Sequence, residues 1–115
     1  MPSKPRASYR FLVNAPVEEV RRERLMVECR RIEAQHFGTE PEDVRVDITE
    51  IEPGKWFTSA EPSQATFVTV TIPDHTEQQA RVALMTDIGA SVAGALDQDF
   101  HAVMVVAADG RRPRT

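Results

Sequence analysis

Apolar and polar positions follow two periods along this chain, and the period changes in the same order in each half. Tyr9–Val13 (Tyr-Arg-Phe-Leu-Val) reads as a short strand. Asn14-Ala15-Pro16 follows, with Asn14 a candidate N-cap and Pro16 in the first helical turn. From about Val17 to His36 the period is helical, with Leu25, Cys29, Ile32 and His36 forming one stripe. Gly38 suits the C-terminal stop. Val44–Ile51 alternates as a strand: Val44, Val46 and Ile48 face one way, Arg45, Asp47 and Thr49 the other.

The second half repeats this order. Thr66–Ile72 reads as a strand, and Thr76 with Gln79 as a capping box. A helix is predicted from about Glu77 to Leu96, with Val82, Met85, Ile88, Val92 and Leu96 as its stripe. Ala102–Ala107 is a nearly continuous apolar strand, and the tail after Asp109-Gly110 is expected to be disordered. Each strand–helix–strand unit makes a right-handed crossover between parallel strands. The predicted class is therefore α+β: duplicated β-α-β units, with a four-stranded mixed sheet and two helices on one face. The uncovered face would carry Arg45, Asp47 and Thr49, joined by either Thr69 and Thr71 or Val68 and Val70. Parallel strands are usually covered on both faces. A chain of 115 residues cannot cover its own second face, so other subunits are expected to do so.

Length fits one domain, with a first unit at about 8–51, a second at about 66–107 and a tail at 108–115. The net charge of −4 argues against a nucleic-acid binder, and Lys4, Arg6, Arg111, Arg112 and Arg114 read as solvated tails. The lone Cys29 excludes an internal disulfide and fits a reducing compartment, so the cytoplasm is expected. No apolar run reaches membrane-spanning length. No His/Cys cluster, glycine-rich phosphate loop or serine elbow occurs, so no metal or other cofactor is expected.

The run Pro41-x-x-Val44-Arg45-Val46-x-Ile48-Thr49-Glu50, followed by Pro53-Gly54-Lys55-Trp56-Phe57, resembles the tautomerase superfamily of 4-oxalocrotonate tautomerase, macrophage migration inhibitory factor and cis-3-chloroacrylic acid dehalogenase. It looks like that family's second strand and the hairpin after it, and the duplicated order over about residues 8–107 is similar to its fused members. The resemblance implies a homotrimer and a small carboxylate-bearing substrate that undergoes keto–enol tautomerisation or a related hydration. It also implies a base, the amino-terminal proline exposed when the initiator methionine is removed. Burial and nearby cations would depress the pKa of such an amine. Met1-Pro2 meets the condition for processing.

Carried over residue by residue, the resemblance makes Pro2 the catalytic base and Arg45 the carboxylate ligand, by the bidentate fork that suits arginine. Trp56 would form an aromatic wall, with Phe57 beside it. Arg10 and His75 are candidates to replace arginines that the family carries in turns. Pro2 lies ahead of the first strand, Glu18 and Glu19 fall near the missing turn arginine, and the last strand lacks an activating glutamate. A non-catalytic trimer that binds a small anion or a partner is the alternative. Each candidate also has a plainer use: an ion pair with Asp47 or Glu50 for Arg45, subunit packing for Trp56 and Phe57, and a solvated helix start for His75. Cys29 reads as core, His36 as a satisfied helix-end histidine and Glu33 as solvated.

Overall fold

The computed structural model describes residues 7–52, 57–58, 61–62 and 65–111, with residues 57, 58, 61, 62 and 111 described by their backbone alone. Strand β1 spans Ala7–Val13, helix α1 Glu19–Phe37 and strand β2 Val44–Glu50. The hairpin strands β3 (Phe57–Thr58) and β4 (Glu61–Pro62) follow. Strand β5 (Thr66–Pro73), helix α2 (Gln78–Leu96) and strand β6 (Val103–Arg111) complete the chain. The main sheet has the order β2-β1-β5-β6. β1 and β2 are parallel, as are β5 and β6, and the two units meet through the antiparallel pair β1–β5. This is the α+β sheet of duplicated units that the sequence pattern predicts. β3 and β4 form a separate antiparallel ribbon.

The duplication keeps a constant spacing. Ala7 and Thr66 open equivalent strands, and Glu18 and Glu77 are the two helix N-caps. Gly38 and Asp97 are the two left-handed C-caps, at φ 65° and 54°. Pro41 and Phe100 begin equivalent 3-10 turns, and Val44 and Val103 equivalent strands. All five pairs are 59 positions apart.

The core lies between the helices and one sheet face. Ala7, Tyr9, Phe11 and Val13 of β1 and Val68, Val70 and Ile72 of β5 are buried against Leu25, Cys29, Ile32, Leu84, Ile88 and Val92 of the helices. Thr69 and Thr71 therefore join the uncovered face, while Val68 and Val70 face the core.

Several local expectations are corrected. Asn14 does not cap α1: the chain bends at Asn14 and Ala15, Glu18 in extended conformation is the N-cap, and the Val17 N–H donates to Glu50 Oε2 at 3.2 Å. The Thr76 capping box does not form either. His75 adopts φ 68°, and Thr76 Oγ1 donates to the Pro73 carbonyl at 2.6 Å, so Glu77 becomes the N-cap. On α2, Val82 is exposed rather than part of the stripe, and Leu84 is buried instead. β6 continues through Ala108 to Arg111, where a tail was expected, because β5 still offers Thr71, Ile72 and Pro73 as pairing partners.

Glu33 is buried, contrary to the solvated reading. Tyr9 points its ring into the core, and its phenol donates to Glu33 Oε2 at 2.6 Å, while Thr39 Oγ1 donates to Glu33 Oε1 at 3.0 Å. A buried phenol needs a polar partner, and helix spacing puts Glu33 one residue beyond the Ile32 ridge. The equivalents of Tyr9 and Glu33 in the second unit are Val68 and Val92, both buried. The fold can thus be built with either pair.

Candidate functional site

Period-two alternation sends Ser8, Arg10 and Leu12 of β1 to the face opposite the helices. Strand pairing then sets their neighbours. One row across the sheet reads Asp47, Arg10, Thr69, Val106, and the next reads Thr49, Leu12, Phe67, Met104. Arg10, Leu12, Asp47, Thr49 and Thr69 line an open cleft of about 570 Å³. Leu12, Met104 and Val106 are exposed on the same sheet face.

Among the described residues, two arginines stand on this face. Arg45 Nε donates to Asp47 Oδ2 at 3.1 Å, with side chains 62% and 40% exposed. An exposed pair of this kind contributes at most about 1 kcal/mol, so a ligand carboxylate can displace Asp47 at little cost. The Arg10 guanidinium has no hydrogen bond or ion pair among the described residues. A cation with five donors, a cleft beside it and hydroxyls at Thr49 and Thr69 make a surface able to hold a small carboxylate.

The other candidates are placed as follows. Pro2 and Trp56 lie outside the described residues. Phe57 begins β3. His75 is exposed in the turn after β5. It lies beyond the sheet end where Arg45 sits, since Arg45 pairs with Ser8 and the Ser8 N–H donates to Thr71 Oγ1 at 3.2 Å. Thr69, the partner of Arg10, is four residues before the end of β5, about 13 Å along the strand. Arg10 and Arg45 therefore share one face, and His75 is not beside Arg10. Leu12 lines the cleft but was not among the sequence candidates; alternation alone pairs it with Arg10, although an apolar side chain gives no chemical signal.

Another cluster of titratable groups joins the two helices. Asp87 accepts from Arg31 Nη2 at 2.9 Å and from Ser91 Oγ at 3.1 Å, and it pairs with His36 Nε2 at 3.0 Å. Arg31 holds the Asp87 carboxyl below its ordinary value, and Asp87 in turn raises the Arg31 pKa. Burial, reinforced by Glu33 and Glu28, pushes the Cys29 thiol up to about 12. Among the described residues, no group of three or more His, Cys, Asp or Glu side chains could hold a metal ion, and no helix is long and apolar enough to cross a membrane.

No protein-family model and no curated protein matches the chain in sequence. Solved structures do match its architecture. Native Ps01740 is 24% identical with a TM-score of 0.83, covering 90% of this chain and 94% of that one. N1, a member of the cis-3-chloroacrylic acid dehalogenase family, is 17% identical at a TM-score of 0.83, covering 90% and 75%. The Q0 fused 4-OT, a symmetric trimer, is 17% identical at a TM-score of 0.81, covering 90% and 85%. The duplicated β-α-β chain thus has the fold of the tautomerase superfamily.

Proposed function

We propose that this protein is a tautomerase-type acid–base catalyst acting on a small carboxylate, by keto–enol tautomerisation or a related hydration, and assembled as a homotrimer in the cytoplasm. The observation that carries the reading is Arg10, a cation without a counter-ion among the described residues, beside a cleft on the sheet face that the helices leave open. Arg10 and Arg45 bind the carboxylate, and Arg45 exchanges Asp47 for it. Trp56 and Phe57 wall the pocket, and His75 contacts the substrate only if a neighbouring subunit brings the two together. The base is the secondary amine of Pro2 after removal of Met1. Pro2 and Ala7 are five positions apart, a span of at most about 17 Å. Arg10 lies three residues into β1, about 10 Å from its start. A folded-back N-terminus can therefore reach the arginines.

A second reading is favoured by the ladder itself. β1 and β2 begin pairing at Ala7 and Val44, where the chain nitrogen is an internal amide and cannot be a base. On that reading the protein is a non-catalytic trimer that binds an anion. One experiment separates the two: turnover of an enolisable 2-keto acid by the processed protein, Pro2→Ala and Arg10→Ala. Proline catalysis requires a loss of about a hundredfold or more for Pro2→Ala and a rise in KM for Arg10→Ala. Equal rates for Pro2→Ala and the unaltered protein rule it out, and carboxylate binding that persists without turnover selects the second reading.

A further inference from the structure

The two units of this chain place different chemistry on the same sheet face. At the 59-position spacing, Arg10 corresponds to Thr69, Arg45 to Met104 and Asp47 to Val106. Every charge in the first unit's part of the face is replaced by a neutral or apolar residue in the second. Across the sheet, Arg10 and Arg45 therefore stand on the β1–β2 side, while Phe67, Met104 and Val106 stand on the β5–β6 side. Leu12, two residues along β1 from Arg10, continues the apolar row into Phe67 and Met104. The step from the Arg10 row to the Leu12 row is about 7 Å, and adjacent strands are about 4.8 Å apart.

We propose that the ligand of this face is a monocarboxylate with a compact apolar body, rather than a dicarboxylate. The proposal rests on the carboxylate reading above and extends it. The carboxylate pairs with Arg10, and the body lies along Leu12, Phe67 and Met104. A second carboxylate at the far end would meet that apolar row, where no side chain among the described residues of the row is a cation that could offset its desolvation. Nearer the arginines it would have to compete with the first carboxylate and with Asp47 for Arg45. An apolar end instead covers side chains that are otherwise exposed, Met104 at 51% and Leu12 at 37%.

Two 2-keto acids that share a head and differ at the tail test this: 4-methyl-2-oxopentanoate, with a branched apolar end, and 2-oxoglutarate, with a second carboxylate. Each is titrated calorimetrically into the processed protein, Arg10→Ala and Met104→Lys. The expected result is at least tenfold tighter binding of 4-methyl-2-oxopentanoate, weakening of both by Arg10→Ala, and a swing of the ratio toward 2-oxoglutarate in Met104→Lys. Equal or tighter binding of 2-oxoglutarate to the unaltered protein, with both still dependent on Arg10, overturns the inference and leaves the carboxylate reading standing. No binding of either acid overturns both. A Met104→Lys protein that loses its assembly without changing the ratio shows that a second copy covers the apolar row, which also overturns it.

Discussion

At the scale of single residues, charge and burial separate the groups that can meet a ligand from those that hold the fold. Arg10 and Arg45 have equal formal charge, but Arg45 is engaged by Asp47 and Arg10 is not. Sequence resemblance singled out Arg45 because it sits in a recognisable strand motif. Arg10 was a candidate as well, but its face was settled only once β1 had a covered side, since alternation along five residues does not say which face is which. Glu33 shows the reverse difficulty. A glutamate between Ile32 and Ala34 reads as solvated, and only the arrival of Tyr9 from another element makes it a core residue. Tyr9→Phe removes the donor to a buried carboxyl group. It should cost about 1–3 kcal/mol, measured as a shift of the urea unfolding midpoint. A cost near zero would mean that water or another donor replaces the phenol.

At the scale of elements, the two helices are held to one another by a polar clasp as well as by the core. Asp87 of α2 pairs with Arg31 and His36 of α1, which fixes the helices' relative position above the sheet. The folded-state pKa of Asp87 lies below its ordinary value of 3.8, chiefly through Arg31. Its contribution is therefore present above that value and is lost as the pH falls through the lower, folded-state pKa. Asp87→Asn should be less stable than the unaltered protein at pH 7, and the gap should close below about pH 4. Thermal unfolding at a series of pH values checks this; a gap independent of pH would remove the carboxylate from the explanation. The groups are partly exposed, so the effect should also shrink in high salt. Helix and strand types were legible in the sequence from periodicity. The caps were not, because Val17 and Thr76 use their polar groups on distant or preceding residues that no local pattern reveals.

At the scale of the whole molecule, both helices lie on one face of the sheet, and among the described residues no helix covers the other. The edge strand β6 adds to this: Val82, Met85, Phe100, Val103 and Val105 border a second groove, of about 280 Å³, and Val82 and Phe100 are exposed beside it. Exposed apolar groups along an unpaired edge invite association. Head-to-tail contacts that close make a ring. Sedimentation equilibrium should give three times the chain mass, and Val82→Asp should move the population toward monomer. A monomeric unaltered protein at micromolar concentration would set the trimer aside and with it any pocket shared between subunits.

The sequence by itself determined the order of elements, the duplication, the strand that carries Arg45 and the absence of an internal disulfide. These follow from local periodicity and composition, which act over a few residues. Only the tertiary structure decided that β1 and β5 join the units antiparallel, that Thr69 shares the face of Arg10, and that Arg10, Arg45 and Asp47 stand on the β1–β2 side of that face. Those facts depend on strand register between residues up to 61 positions apart, and a one-residue slip would exchange every side chain between core and open face. Register is set by what the whole core can bury, and no single segment contains that information.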